Sequence, residues 1–513
     1  MKLAVHNAFC RVLDGTEEEV TCLIEAVTFS FPGAYWVPAY RRGQWDGTKC
    51  FYHRGGKTLP SGMLPYILEV LEEAGIRPHL TDMRGTIPLP KHIATPSEWT
   101  KRLKDRGFPS QPLLTVLQYR AVKSFLSNRL RGLPWSRGLV SYPTGSGKTT
   151  LAFWILEALQ VPSLYMIERQ DLLLQSSEVY EQLTGHKPGM LGMGIDEIKP
   201  VTFGMLQSLR PRIQDEHRET LDYLKQVQAV VVDEAHLIGD NSYLDVLDAM
   251  PKASIRLGTS GSLLRRTDLG DWYLIGSVGD IVVHLPSKVL RDAGLLSTVK
   301  VFLYDVRVPE GRGNYARQEK EVIVENDYRN ELAVLTALRA ADAGWKTLVL
   351  VKRKVHGDIV QALFRAHGVS VPFLCYVDPA QLRKAYLDEM RKGDRRIVVS
   401  SGIFKLGIDV PAIRCLIRLD GGASVIDSLQ ITGRGMRRKD EFNELYLFDY
   451  VDHMSKYFLK HSKARLKVYE AEAYEIETLN DVEDVTFTQI QPTKPCSEAG
   501  TPLPQERRKT ASR

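Results

Sequence analysis

The chain has 513 residues, 43% of them hydrophobic and 25% charged. That is too long for one hydrophobic core and ordinary for a soluble globular protein of about two to four domains. The formal net charge of +6 suits a phosphate-bearing partner but does not identify one. Six cysteines, at 10, 22, 50, 375, 415 and 496, form no C-x-x-C pair, which argues against a zinc site or a disulfide framework, and no apolar run reaches the roughly 18 residues needed to span a bilayer.

Asp14, Glu17, Glu18 and Glu19 lie close to the N-terminus, unlike a signal peptide, and a cytoplasmic protein is expected. Residues 1–90 carry aromatic and basic runs and then the helical pattern MLPYILEVLEEAGI. Asp46-Gly47, between YRRGQW and TKCFYH, predicts a two-residue β-hairpin. Arg41, Arg42, Lys49, Arg54 and Lys57 surround it, with Trp45, Phe51 and Tyr52 interleaved. Basic and aromatic residues together suit phosphate contact with base stacking. Arg41, Arg42 and Lys49 are the expected nucleic-acid contacts and Trp45 a core anchor. Residues 91–112 are polar and proline-spotted and read as a linker.

From residue 113 to 285 strand, loop and helix alternate: RGLVSY, TTLAFWILEALQ, SLYMIE, DLLLQSSEVYEQL and QAVVVDEAH. This implies βαβ units around a parallel sheet. A second α/β domain is expected over 286–480, with KTLVLVKR, RRIVVSS and RCLIRLD as strands and GDIVQALFRAHG and QLRKAYLDEMRKG as helices. Residues 481–513 lack apolar periodicity and are expected to be disordered.

YPTGSGKTT, Tyr142 to Thr150, follows a strand and opens a helix. Gly145 and Gly147 let backbone N–H groups converge on phosphate oxygens, at a helix N-terminus that favours anions. Lys148 can reach the β and γ phosphates, and the Thr149 hydroxyl can ligate Mg²⁺. Thr144, Ser146 and Thr150 complete the expected ATP cradle. Tyr142 stands where the strict pattern wants glycine. VVVDEAH then puts Asp233 and Glu234 at the end of an apolar strand, where such folds bind ligands. Asp233 is expected to hold the metal with Thr149, and Glu234 to orient or deprotonate the attacking water. His236 is a candidate link between nucleotide state and the next motif.

With QITGRGMRRKD, Gln430 to Asp440, these motifs resemble the superfamily 2 helicases, motors with two RecA-like domains. Further stretches fall in the family's order. LTVLQYRAV resembles its adenine-reading motif and implicates Gln118. IERQDLLLQ resembles motif Ia, VTFGMLQSL the strand-contacting motif that follows, and GTSGSL a loose motif III with Ser260 and Ser262 in the hydroxyl positions. SSGIFKLGIDVP resembles motif V, implicating Gly407 and Asp409 at the nucleotide, and motif VI places Gln430, Gly433, Arg434 and Arg437 in register. The likeness implies catalytic roles for Lys148, Asp233, Glu234, Arg434 and Arg437, the arginines reaching across a cleft to the γ-phosphate, and coupling roles for His236, Ser260, Ser262 and Gln430. Thr202, Gln207, Ser208, Ser400, Ser401 and Gly402 become candidate contacts to a sugar-phosphate backbone.

More narrowly, RRGQWDGTKCFYHRGGKTLPSGMLPYILEVLEEAG is similar to the DNA-binding N-terminal domain of UvsW-type phage helicases, and LFDYVD with KHSKARLKVYE to their C-terminal end. The expected architecture is therefore α/β, two tandem RecA-like parallel-sheet domains with a small N-terminal α+β nucleic-acid-binding domain. The expected function is an ATP- and Mg²⁺-dependent DNA helicase or translocase, a monomer acting on branched or forked DNA in recombination, repair or replication. An RNA helicase is the enzymatic alternative, since motor motifs read backbone, and a nucleotide-gated scaffold is the non-enzymatic one.

Overall fold

The computed structural model describes residues 1–487 apart from 91, 239–240, 262–268, 376, 402–412 and 424–443. The first 82 residues build a four-stranded sheet in the order Thr58–Pro60, Phe9–Asp14, Lys2–Val5, His79–Asp82. The first three strands are antiparallel and the last runs parallel to Lys2–Val5. Thr16 and Glu19 form a reciprocal capping box on the helix Glu17–Ala26, satisfying two of its orphan N–H groups. Helix Leu64–Glu73 buries Leu64, Ile67, Leu68 and Leu71, one face at 3.6-residue spacing, into the same core as Leu3, Val5 and Leu23.

The expected hairpin at Asp46-Gly47 is not formed. Strand Thr48–Cys50 pairs instead with Thr28–Ser30, far upstream, and the residues before Asp46 form a short helix, Pro38–Arg41. The Asp46 carboxylate accepts from the Thr48 N–H and hydroxyl, both at 2.9 Å, so it closes a local turn of its own. Nor is the proline-spotted connector a bare linker. It holds the helix Pro96–Asp105, capped by Thr95 and Glu98, whose Trp99 is fully buried and stacks on Trp154 at 4.7 Å.

Two large sheets follow, their strands counted among the described residues. The first has eight strands in the order Ile195–Glu197, Gly189–Gly192, Val201–Met205, Ser163–Ile167, Ala229–Val232, Ile255–Ser260, Arg137–Ser141, Ile281–His284. All pair in parallel except Ile195–Glu197 at the edge. Alternate residues of one strand enter different cores: Ala229 and Val231 join one cluster, Val230 and Val232 another. A sheet covered on both faces explains the uninterrupted apolar run AVVV. The second sheet has seven strands, all parallel, with Thr347–Leu350, Ile397–Ser400, Cys415–Arg418 and Glu444–Asp452 in its middle. The chain beyond residue 480 continues this lobe: Val482 and Val485 are buried and Phe487 packs on Trp345 at 5.1 Å. The expectation of disorder is thus corrected for 481–487, while 488–513 lie outside the described residues.

The N-terminal unit is bolted to the first lobe through backbone. Arg137 is buried, and its guanidinium donates to Asn7 O, the Ser61 hydroxyl, Val278 O and Ser277 O at 2.6–3.2 Å. Beside it, a Cβ on Gly62 would lie 2.1 Å from Ile275 O, closer than any side chain tolerates. Gly62→Ala is therefore expected to force the two units apart and lower stability by about 1–3 kcal/mol, the usual overpacking cost. Urea unfolding measures this, and parent-like stability would show the contact to be unimportant.

Candidate nucleotide site and nucleic-acid interface

The carboxyl ends of three adjacent strands, Ala229–Val232, Ile255–Ser260 and Arg137–Ser141, meet at one edge of the first sheet. Tyr142 leaves the last of them with its side chain buried, its N–H bonded to Ser260 O and its hydroxyl donating to Leu117 O at 3.0 Å. Burial pushes its phenol up to about 12, so it stays a neutral donor. This explains how tyrosine replaces glycine here: the position lies in the core, facing the helix Pro112–Leu126, and not in the cradle itself.

The loop then turns through Gly145 and Gly147, both left-handed at φ 86° and 75°, conformations cheap only for glycine. Gly147 caps the helix Lys148–Leu159. Ser146 folds its hydroxyl back onto Pro143 O at 2.6 Å and Thr150 onto Gly147 O at 2.8 Å. Gln118, nearly fully buried, donates its amide NH₂ to Ser146 O at 2.9 Å and Gly147 O at 3.2 Å. Gln118 thus braces the loop backbone from outside. Thr144 and Lys148 come from the same loop and approach Gly261, where an added Cβ would sit 3.1 Å from the Thr144 hydroxyl and 3.4 Å from the Lys148 amine.

Asp233 receives Thr259 Oγ1 at 2.8 Å, Tyr165 OH at 3.0 Å and the Glu234 N–H at 3.0 Å. Burial and the neighbouring Glu234 charge raise its carboxyl above the usual range, against the pull of Lys148. Tyr165 also lies against the Thr149 hydroxyl, so oxygen ligands from Thr149 and Asp233 converge. A buried carboxylate, raised by desolvation and by a second acid, beside a threonine hydroxyl is a donor set that a small hard cation fits. Among the described residues no cluster of three or more His, Cys, Asp or Glu could hold a metal.

Glu234 has φ 48° and ψ 47°. A left-handed glutamate is uncommon, and such strain concentrates at working sites. His236 is buried; its Nδ1 is 2.8 Å from Ser260 Oγ and 3.3 Å from Glu234 Oε2. The structure therefore brings His236 and Ser260 together beside the acidic pair.

The remaining expected residues divide. Ser262, Gly402, Gly407, Asp409, Gln430, Gly433, Arg434 and Arg437 lie outside the described residues. Gln207 is exposed and Ser208 half-buried in the first turn of Leu206–Gln214, while Arg41 and Arg42 are exposed and Lys49 half-buried, lying over Phe51 and Tyr273. Thr202 and Ser400 do not present themselves to a strand. Both are fully buried. The Thr202 hydroxyl donates to Lys199 O at 2.7 Å, and that of Ser400 to Ser401 O at 2.9 Å and Leu374 O at 3.2 Å. Ser401 is buried as well, its N–H on Leu374 O. Their expected contact role is corrected: all three side chains are buried, and the Thr202 and Ser400 hydroxyls satisfy backbone carbonyls, which burial demands.

Sequence reasoning missed a set of buried ion pairs in the second lobe. Arg465 donates to Asp449 at 2.8 and 3.0 Å and to Gly422 O at 2.9 Å. His461 Nδ1 is 3.0 Å from Gly421 O, and Arg329 bonds Leu419 O at 2.9 Å and Asp452 at 3.0 Å. Residues 419–422, which lead into the QITGRGMRR segment, are thus gripped at three carbonyls. Burial works against the Asp449 carboxylate, but Arg465 and Arg418 hold it below its ordinary range. No local pattern marks these residues, because the partners lie tens of positions apart.

Two family models match the chain: "Type III restriction enzyme, res subunit" over residues 113–263 and "Helicase conserved C-terminal domain" over 314–439. A putative helicase of a Sulfolobus islandicus filamentous virus is 22% identical over 71% of this chain and 68% of its own length. The DNA 3'-5' translocase XPB2 of Sulfurisphaera tokodaii is 23% identical over 63% and 78%. Among solved structures, S. cerevisiae Dbp5 bound to RNA and ADP BeF3 aligns over 76% of this chain and 95% of its own with a TM-score of 0.53 at 16% identity. T4 UvsW aligns over 94% and 100% at 20% identity with a TM-score of 0.43. The chain belongs to the superfamily 2 helicases, and it is an ATP-dependent helicase and hence a hydrolase.

Arg465→Leu is expected to strand Asp449 in the core and lower stability by about 3–5 kcal/mol. The double variant Asp449→Leu/Arg465→Leu should recover part of that loss in urea unfolding. Equal losses in both would mean that the pairing contributes nothing.

Proposed function

We propose that this chain couples ATP hydrolysis to movement along DNA and remodels branched or forked DNA in recombination, repair or replication. One observation carries the reading: the phosphate loop, the Asp233–Glu234 acids and the His236–Ser260 contact converge on a single sheet edge. Lys148 would hold the β and γ phosphates, and Thr149 and Asp233 would hold Mg²⁺, which when bound neutralises charge on the transferred phosphoryl group. Glu234, its backbone fixed left-handed, would align water for in-line attack. Arg434 and Arg437 would complete the pocket from the second lobe, so that turnover requires closure.

His236 would report that event. Its ring touches both Glu234 and the end of strand Ile255–Ser260, so a shift at the acids would be passed to Ser260. DNA is preferred over RNA because relatives such as XPB2 are named for DNA translocation; the exposed Arg41, Arg42, Arg54 and Lys57 of the N-terminal unit suit a phosphate backbone of either kind. The branched substrate rests on the UvsW-type sequence likeness of that unit.

Lys148→Ala, Glu234→Gln and Arg437→Ala are each expected to abolish steady-state ATP turnover. Glu234→Gln should still bind ATP, and loss of binding there would contradict its role. Ser260→Ala is expected to retain nucleic-acid-stimulated hydrolysis while strand separation falls at least several-fold. Forked DNA, duplex DNA and structured RNA are then compared as activators. Stimulation by RNA alone would overturn the DNA assignment, and ATP binding with no stimulated turnover would favour a scaffold.

A further inference from the structure

Trp36 and Tyr35 are 73% and 66% exposed, the two most exposed large hydrophobic side chains among the described residues, and they are neighbours. They sit on a knob formed by residues 31–47, the segment where a hairpin was expected. The knob is a packed body. Gly33, at φ 83°, starts the 3₁₀ turn Ala34–Trp36, and Pro38 opens the helix Pro38–Arg41. Trp45 packs edge-on against Phe31 and Tyr40 from below and donates its indole N–H to Thr48 O at 2.7 Å. A Cβ on Gly47 would come within 2.8 Å of Tyr40. Trp45 is thus the internal anchor, and the two outer rings are presented to solvent.

Arg41 orders the presented rings. Its Nε donates to Tyr35 O at 2.8 Å, and its guanidinium lies 5.3 Å from the Tyr35 ring and 5.6 Å from the Trp36 ring. Tyr35 and Trp36 meet edge to face at 5.4 Å. Such contacts fix rotamers, so little side-chain freedom is left to lose when a ligand arrives. Arg42, which follows Arg41, is exposed, and the exposed Arg54 and Lys57 lie in the turn between strands Thr48–Cys50 and Thr58–Pro60. The one carboxylate within the knob, Asp46, is engaged by Thr48.

The root of the knob joins the motor. Phe29 stacks on Trp272 at 3.9 Å, and Phe51 meets Tyr273 edge-on at 5.0 Å, both partners lying on helix Gly270–Ser277 of the first lobe. With Arg137 and Gly62 sealing the same junction, the rings hold a fixed position relative to the phosphate loop.

We propose that Tyr35 and Trp36, braced by Arg41, form a base-stacking platform that receives an unpaired nucleobase of the strand on which the motor acts, with Arg42 on the adjacent phosphate. This rests on the nucleic-acid motor reading given above. Flat π-faces bind any base, as a motor that reads no sequence requires. Anchored to the first lobe, the platform holds a base still while the second lobe moves.

The test uses the full chain and a fluorescently labelled forked DNA with single-stranded arms, titrated by anisotropy at several salt concentrations. Trp36→Ala is expected to weaken binding about tenfold, within the range for losing one stacked base, and to leave the slope of log affinity against log salt unchanged. Arg42→Ala is expected to reduce that slope by about one phosphate contact. Trp36→Phe should restore most of the affinity, and thermal unfolding should show Trp36→Ala folded like the parent, since the side chain is solvent-exposed. Parent-like affinity of Tyr35→Ala and Trp36→Ala, as a protein-docking patch would give, overturns the platform while leaving the motor reading intact. A parent chain whose ATP turnover no nucleic acid stimulates overturns both.

Discussion

Parallel pairing across the first sheet is the constraint from which the rest follows. Val232 pairs with Gly258 and Ser260 with Ser141, so three strands end together and release their loops on the same side. Parallel strands need long crossovers, and each crossover helix here lies on a face of the sheet, keeping that edge clear. The glycine turn, the acidic pair and the Ser260 hydroxyl come from three separate segments between residues 142 and 260, yet they meet because backbone hydrogen bonds fix their register. A slip of one residue would turn Asp233 into the core and Val232 into the site.

Charge is buried in this molecule where geometry must not drift. Arg137, on a strand of the first lobe, reaches the N-terminal unit at Asn7 O and the Ser61 hydroxyl while Ser277 O and Val278 O hold it in its own lobe. Arg465, His461 and Arg329 tie the stretch 419–422 to the body of the second lobe. Desolvating an arginine is costly unless its fork is satisfied, so each such site tolerates few alternative arrangements. Apolar contacts of equal strength would permit sliding. The first tie keeps the exposed rings of Tyr35 and Trp36 in register with the nucleotide site. The second leads directly into the segment that carries Arg434 and Arg437.

Legibility followed the range of the signal. TGSGKT and DEAH were readable because their chemistry is local: glycines permit left-handed turns, and acids end an apolar strand. Helices such as Leu64–Glu73 and Lys354–Ala366 were readable from periodicity. Asp46-Gly47 misled because a favourable turn dipeptide does not specify which strand will pair across it; Thr28–Ser30 won through the contacts of Phe29 and Phe51 with the first lobe. Trp99 looked like part of a polar connector, and only its stack on Trp154 gives the segment a place in the core. Thr202 and Ser400 matched contact motifs by residue type, but burial converted their hydroxyls into backbone caps.

By itself the sequence determined that two parallel α/β lobes exist, that the first carries a phosphate loop and an acidic pair, and which residue types would do the chemistry. Those properties depend on neighbours a few positions apart. Tertiary structure decided that Tyr142 belongs to the core, that Gln118 braces the phosphate loop, that His236 bonds Ser260, and that Tyr35 and Trp36 stand in solvent while Trp45 does not. Each of these is a question of which side of a packed surface a side chain occupies, and only the closing of distant segments onto one another answers it.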